Sequence, residues 1–329
     1  MADPAPLGPT PVTRAPVTAP PVPRPAGRRT PAAGYADAVR DRVSELTRLR
    51  ATDPDAVRRA LRDRRRFAPA GFAEPLFVLA ADHPARGAVA ANGDPVAMGD
   101  RHELLARCLV ALSRPGVNGF LGTADLVEDL ALLGALEGKL VLGSMNRGGL
   151  PGASFELDDR FTGYDAEGIA AGGLDGGKML LRVDPTDHGT SRTLAGCARA
   201  VDELAERRLL ALVEPFTSRR HAGRARNVLT ADAQILANGI AQGLGRTSAH
   251  TWLKVPVVDD MERMMASTTL PTLLLGGDGS QDPEAMYASW RNALRIEQVR
   301  GLTVGRTMLF PADGDVATAV DTAVGLLHP

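Results

Sequence analysis

Lysine is almost missing from this chain. Its 38 basic residues include only three lysines, Lys139, Lys178 and Lys254. Arginine cannot replace lysine as a nucleophile, because its guanidinium stays protonated, so the places where lysine is kept are informative. Other absences narrow the field. The two cysteines, Cys108 and Cys197, are far apart and match no metal or redox spacing; both fall in helical patterns and read as buried thiols. Low cysteine use fits a reducing cytoplasm. There is no run of about 18 apolar residues, so no membrane span is expected, and the first residues lack the apolar segment of a secretory signal. The formal net charge is −1, which gives no reason to expect a nucleic-acid or membrane partner.

What is present falls into three parts. Residues 1–33 are rich in Pro and Ala and nearly free of large apolar side chains. Such a stretch cannot offset its ordering entropy by burial, and a disordered tail is expected. Residues 34–75 read as a helical extension. YADAVRDRVSELTRLR has apolar positions at helical spacing, and DPDAVRRALRDRRR follows, with Asp53 or Asp55 as a cap. The basic run at 58–66 reads as a solvated helix face, because acidic residues are interleaved upstream.

Over residues 76–329 buried-strand runs alternate with amphipathic helices. The runs are LFVLAAD (76–82), GVNGFLG (116–122), KLVLGSM (139–145), GGKMLLRVD (176–184), LLALVEPF (209–216), HTWLKVPVV (250–258), PTLLLGG (271–277) and VRGLTVGRT (299–307). Continuous apolar strands signify a parallel sheet covered on both faces. Eight strand–helix units in about 250 residues predict an α/β fold of the (β/α)8 TIM-barrel type. A doubly wound sheet is the alternative; it more often carries a dinucleotide fingerprint after its first strand, and ADHPARG is not one.

The barrel says where chemistry belongs: at the C-terminal ends of the strands. Side chains alternate inward and outward. Asp82 therefore shares a face with Ala80 and Val78, and Glu214 with Leu212 and Leu210. Lys178 and Lys254 fall inside the fourth and sixth strand runs. Lys139 opens the third strand at the opposite end and reads as structural, and Trp252 reads as core. Two inward lysines and two inward carboxylates have a physical use. Desolvation and a cationic neighbour lower a lysine's pKa, so that part of it is neutral amine. Neutral amine attacks a ketone or aldehyde and yields an imine, whose protonated form accepts the electron pair of a breaking C–C bond. A carboxylate can shuttle the protons. The seventh and eighth strand runs end in Gly276, Gly277, Gly305 and Arg306. There glycine lets backbone N–H groups approach a phosphate and Arg306 can clamp it.

This set resembles the class I, Schiff-base aldolases with a (β/α)8 fold, over roughly residues 76–327. The nearest group is that of tagatose-bisphosphate and sulfofructose-phosphate aldolases. LAADHP resembles their first-strand segment with an active-site Asp, GGKMLLRVD the strand with a second active-site lysine, LVEPF that with a catalytic glutamate, and WLKVPVV that with the Schiff-base lysine. The resemblance implies Lys254 as nucleophile, Glu214 as proton shuttle, and Lys178 and Asp82 as polar partners of the substrate, with no cofactor. The chain also resembles an actinobacterial aldolase-like family associated with inositol catabolism. That implies a ketose phosphate such as 5-dehydro-2-deoxygluconate 6-phosphate, split into dihydroxyacetone phosphate and malonate semialdehyde. His83 and Pro84 stand where a polar pair is usual after the first-strand Asp, and GGDG replaces a serine-containing motif. The partner expected is a phosphorylated sugar, and homo-oligomers through the outer helices are compatible with the fold.

Two rival readings use the same barrel. A metal-dependent lyase or hydrolase would draw on His83, His188, His221 or His250, although no H-x-H or H-E-x-x-H spacing occurs. A non-catalytic barrel could bind a sugar phosphate without turning it over.

Overall fold

The computed structural model describes residues 35–276 and 282–328. The tail expected over residues 1–33 and the expected phosphate ligand Gly277 lie outside them. Eight strands close into a parallel barrel: β1 (Leu76–Ala80), β2 (Gly119–Gly122), β3 (Leu140–Ser144), β4 (Gly176–Val183), β5 (Leu210–His221), then β7 (Thr251–Val255), β8 (Thr272–Leu275) and β9 (Val299–Val304). The order runs β1 to β5 and on through β7, β8 and β9, which pairs with β1 and completes the circle. The short strand β6 (Arg224–Asn227) stands outside the circle and pairs antiparallel with the far end of β5.

Helices α3 (Arg101–Ser113), α4 (Ala124–Leu132), α5 (Ala166–Ala171), α6 (Gly189–Glu206), α7 (Ala231–Gln242), α8 (Met261–Met265), α9 (Pro283–Ala293), α10 (Arg306–Leu309) and α11 (Val316–Gly325) follow the strands. Several begin with an acidic or hydroxyl cap that accepts from the first free N–H groups: Asp100 for α3, Asp165 for α5, Thr230 for α7, Asp282 for α9. Cys108 and Cys197 sit fully buried in α3 and α6, as their helical patterns imply. Among the described residues no helix is long and apolar enough to cross a membrane.

Two helices precede the barrel, α1 (Tyr35–Thr52) and α2 (Asp55–Asp63). They pack on α3 and α4 and bury Val39, Val43, Leu46, Val57 and Leu61 there. The α2 cap differs from expectation: Pro54 takes the cap position without a side-chain bond, and Asp55 falls in the first turn, where its charge suits the helix dipole. The basic run is also divided. Arg58, Arg59 and Arg62 are exposed, but Arg64 is buried and donates to the carbonyls of Lys139 and Gly173, both at 2.9 Å. The chain then crosses the N-terminal mouth of the barrel. Phe67 and Phe72 meet edge to face at 5.2 Å, and Phe72 meets Trp252 at 5.8 Å. Trp252 thus packs at the closed end, as its core reading implies.

The barrel interior explains why the other end is polar. Leu76, Val78 and Ala80 of β1, Leu140 and Leu142 of β3, Leu210 and Leu212 of β5 and Leu273 of β8 form one buried cluster. One more inward step along these strands brings Asp82, Ser144 and Glu214, while Lys178 and Lys254 come from β4 and β7. Apolar layers fill the lower barrel, and charged side chains form the layer above them.

Candidate active site

Four expected residues meet in that layer. Lys178, Glu214 and Lys254 stand on β4, β5 and β7, Asp82 lies two residues beyond β1, and the four are between 2% and 9% exposed. Glu214 lies between the lysines: Oε2 pairs with Lys178 Nζ, and Oε1 is 3.2 Å from Lys254 Nζ. Lys178 Nζ is also 3.6 Å from Asp82 Oδ2. The site further contains Ser144 and Arg147, which no motif marks. Ser144 Oγ donates to Asp82 Oδ2 at 2.9 Å, Arg147 Nε donates to Ser144 Oγ at 2.7 Å, and an Arg147 Nη2 pairs directly with Asp82. Ser144 was open to the alternation rule that placed Asp82 and Glu214, since it is two residues beyond Leu142. Arg147 follows in a loop, where no periodicity points at its target.

The charges do not balance. Two carboxylates face three cations, Lys178, Lys254 and Arg147. Arginine holds its proton most firmly, so the excess positive charge bears on the lysines. Burial pushes the Lys178 ammonium well below the ordinary lysine value; Lys254 and Arg147 push the same way, against the attraction of Glu214. Burial alone would raise the Glu214 carboxyl, but the two neighbouring ammonium groups outweigh it and hold it below the carboxylate range. Lys139 stands apart, at the closed end of the barrel, where its amine donates to the Val117 carbonyl at 2.6 Å.

A cavity of about 420 Å3 opens onto these groups. Its wall includes Asp82, Lys178, Glu214 and Lys254, and also Gly276, Gly305 and Arg306, so the expected phosphate residues within the described chain share the cavity with the expected catalytic ones. Gly305 is required by packing: a Cβ there would collide with the Ala80 carbonyl oxygen and come within 2.8 Å of His83 Cε1. At Gly276 a Cβ would lie 3.0 Å from Thr307 Oγ1.

Two chain segments roof the cavity. The loop after β3 is tied down by Arg86, which donates to the Asn146 and Gly149 carbonyls and to Asp159. Asn146 exchanges two hydrogen bonds with the Leu180 backbone, at 2.6 and 2.8 Å. The second segment is the β5–β6 hairpin, held to that loop through Glu156. This carboxylate accepts from Gly152 N at 2.9 Å, Ala225 N at 3.1 Å and Arg182 Nη1 at 2.8 Å. Asn227 and Leu229, at the hairpin's exit, line the cavity.

The histidines do not assemble. His83 is in the cavity wall, His188 caps α6, His221 ends β5, and His250 precedes β7 at the opposite end of the barrel. Among the described residues no group of three or more His, Cys, Asp or Glu side chains is placed to hold a metal ion.

Comparison with solved structures gives the same architecture. A Schiff-base-forming fructose-1,6-bisphosphate aldolase aligns over 83% of this chain and 100% of its own, at 17% identity and a TM-score of 0.56. The fructose-bisphosphate aldolase from Slackia heliotrinireducens aligns over 77% of this chain and 85% of its own, at 15% identity and a TM-score of 0.56. At such identities the likeness is one of fold. Cgl0159 from Corynebacterium glutamicum is 52% identical over 88% of this chain and 97% of its own, with a TM-score of 0.84. No curated protein matches the sequence. The Cgl0159-like family model matches residues 74–324, from just before β1 into α11, and with the barrel and its charged layer inside that span the chain belongs to the Cgl0159-like family.

Proposed function

We propose that this protein is a class I aldolase that cleaves or forms a C–C bond in a phosphorylated ketose through a lysine Schiff base. The observation that carries the reading is the Lys178–Glu214–Lys254 arrangement, two buried amines on one carboxylate at the open end of the barrel. Lys254 is the nucleophile. It has one carboxylate neighbour, whereas Lys178 stands between Glu214 and Asp82 and serves as a polar partner of the substrate.

The steps balance within these residues. Lys254 passes a proton to Glu214, and its free amine attacks the ketone carbon. Proton transfer from nitrogen to oxygen gives the carbinolamine. Glu214 returns its proton to the carbinolamine hydroxyl, water leaves, and an iminium remains on Lys254. The hydroxyl beyond the scissile bond then loses its proton and becomes an aldehyde carbonyl. The bond's electron pair moves into the iminium, leaving an enamine. Protonation at carbon and addition of water release the second product and restore the lysine. Gly276, Gly305 and Arg306 receive the phosphate, so that binding energy from a non-reacting group orients the ketone. The resemblance to inositol-associated aldolases makes 5-dehydro-2-deoxygluconate 6-phosphate the first substrate to test. Its cleavage would give dihydroxyacetone phosphate and malonate semialdehyde.

Borohydride reduction in the presence of dihydroxyacetone phosphate is the direct test. The expected result is a covalent mass increase on Lys254, absent in Lys254→Arg, where charge and length persist but the nucleophile is gone. Lys178→Arg should still trap the ketone while losing cleavage. Trapping by Lys254→Arg but not by Lys178→Arg would exchange the two roles, and no adduct with any ketose phosphate would remove the Schiff base altogether.

A further inference from the structure

The mechanism above leaves one proton without a carrier: that of the hydroxyl on the carbon that becomes the aldehyde. Neither carboxylate is suited to it. Glu214 is held by two ammonium groups, and Asp82 accepts from Ser144 and Arg147 with Lys178 at 3.6 Å. Glu214 already carries the proton of the Lys254 and carbinolamine steps, and Asp82 Oδ2 is taken by neighbouring donors. His83, the residue after Asp82, is unused. Its ring lines the cavity, with Cε1 against Gly305. Its Nδ1 is buried, has no hydrogen-bond partner among the described residues, and lies 4.0 Å from Asp82 Oδ1.

We propose that His83 is the second proton carrier of this site, with Nδ1–H turned toward Asp82 and Nε2 taking the proton of the cleaved hydroxyl and returning it to the enamine carbon. The inference rests on the Schiff-base reading and adds a residue to it. The proton leaves oxygen for Nε2 as the C–C bond breaks into the iminium; the same proton then forms the new C–H bond, and the imidazole is regenerated. In the reverse direction His83 removes a carbon-bound proton from the ketone once it is an iminium. The groups facing the ring favour its neutral form, the one able to accept a proton. They are Asp82, Lys178 on β4, Glu214 on β5, Lys254 on β7 and Arg306 on α10. Burial, and then the charges of Arg306, Lys254 and Lys178, hold the imidazole well below the ordinary histidine value against the pull of Glu214, so it is unprotonated at neutral pH.

Dihydroxyacetone phosphate alone tests the assignment, because both the Schiff base and the proton transfer can be followed on it. The wild-type protein should trap it under borohydride and exchange one of its carbon-bound protons with D2O, read by NMR. His83→Gln should trap it equally but exchange it about 100-fold more slowly or worse, the low end of what a positioned base contributes. His83→Ala should regain exchange when free imidazole is added, which a purely structural role would not give. Exchange by His83→Gln within about threefold of wild type would overturn the proposal, since it falls far outside a general base's contribution. Loss of trapping together with exchange in His83→Gln would also overturn it, as would no response of His83→Ala to imidazole. Failure of the wild-type protein to trap would refute the Schiff-base reading first, and this inference with it.

Discussion

Glu214 is the residue on which the site turns, and its charge state is linked to stability. Its carboxyl titrates lower in the folded protein than the ordinary value of 4.5. As pH falls below that value, the unfolded chain takes up a proton that the folded chain refuses, so the stability contributed by Glu214 is full above about pH 4.5 and lost as pH falls through the lower, folded value. Lys178 has the opposite sign. Its folded value is depressed, so its burial costs stability at neutral pH, and the cost fades as pH rises toward the unfolded lysine value of about 10.4. Glu214→Gln should flatten the acid side of a urea-unfolding pH series and, by leaving two ammonium groups without their carboxylate, cost about 3–5 kcal/mol at neutral pH. An unchanged acid slope in this variant would mean that the carboxylate is not held as described.

At the scale of elements, the β5–β6 hairpin marks the border between what was legible and what was not. Parallel strands announce themselves by unbroken apolar runs, and inward alternation carries Asp82, Glu214 and Ser144 to the barrel mouth. Lys178 and Lys254 stood out because lysine is scarce. The hairpin segment SRRHAGRARN is polar and reads as loop; in the fold it is also tied to Glu156, which comes from a distant segment. Arg86, Arg147 and Arg64 were illegible for the same reason, since their partners are backbone carbonyls and carboxylates brought near only by folding. The hairpin turn itself is imperfect. Ala222 and Gly223 both have positive φ, 49° and 77°, as a two-residue turn between twisted strands demands, but Ala222 carries a Cβ that this conformation penalises. Ala222→Gly should therefore raise stability, by at most about 1 kcal/mol. Thermal unfolding would register it, and a lowered midpoint would count against the turn.

The described residues form a barrel with one closed and one open end, and the segment that closes it follows two helices packed on its flank. Helices α1 and α2 bury Val39, Val43, Leu46, Val57 and Leu61 against α3 and α4. At about 1.5–3 kcal/mol for each fully buried side chain, their sum rivals the net stability of an ordinary domain, about 5–15 kcal/mol. A chain beginning at Arg64 should thus be recovered mostly insoluble, although every barrel strand and every residue of the charged layer is retained. Recovery of a soluble, cooperatively unfolding barrel would show that the flank helices are dispensable.

The burial of lysine has a practical side. Lys178 and Lys254 are enclosed and Lys139 is half-buried with its amine on a carbonyl, and there are no other lysines in the sequence. The described surface, rich in guanidinium, therefore offers amine-directed reagents no exposed target. Acylating agents, cross-linkers and surface-coupling chemistry that label most proteins indiscriminately should find no exposed lysine here, and reach the interior amines only through the cavity. Protection of Lys254 from such a reagent by a sugar phosphate would then measure occupancy of the site, on a background close to zero.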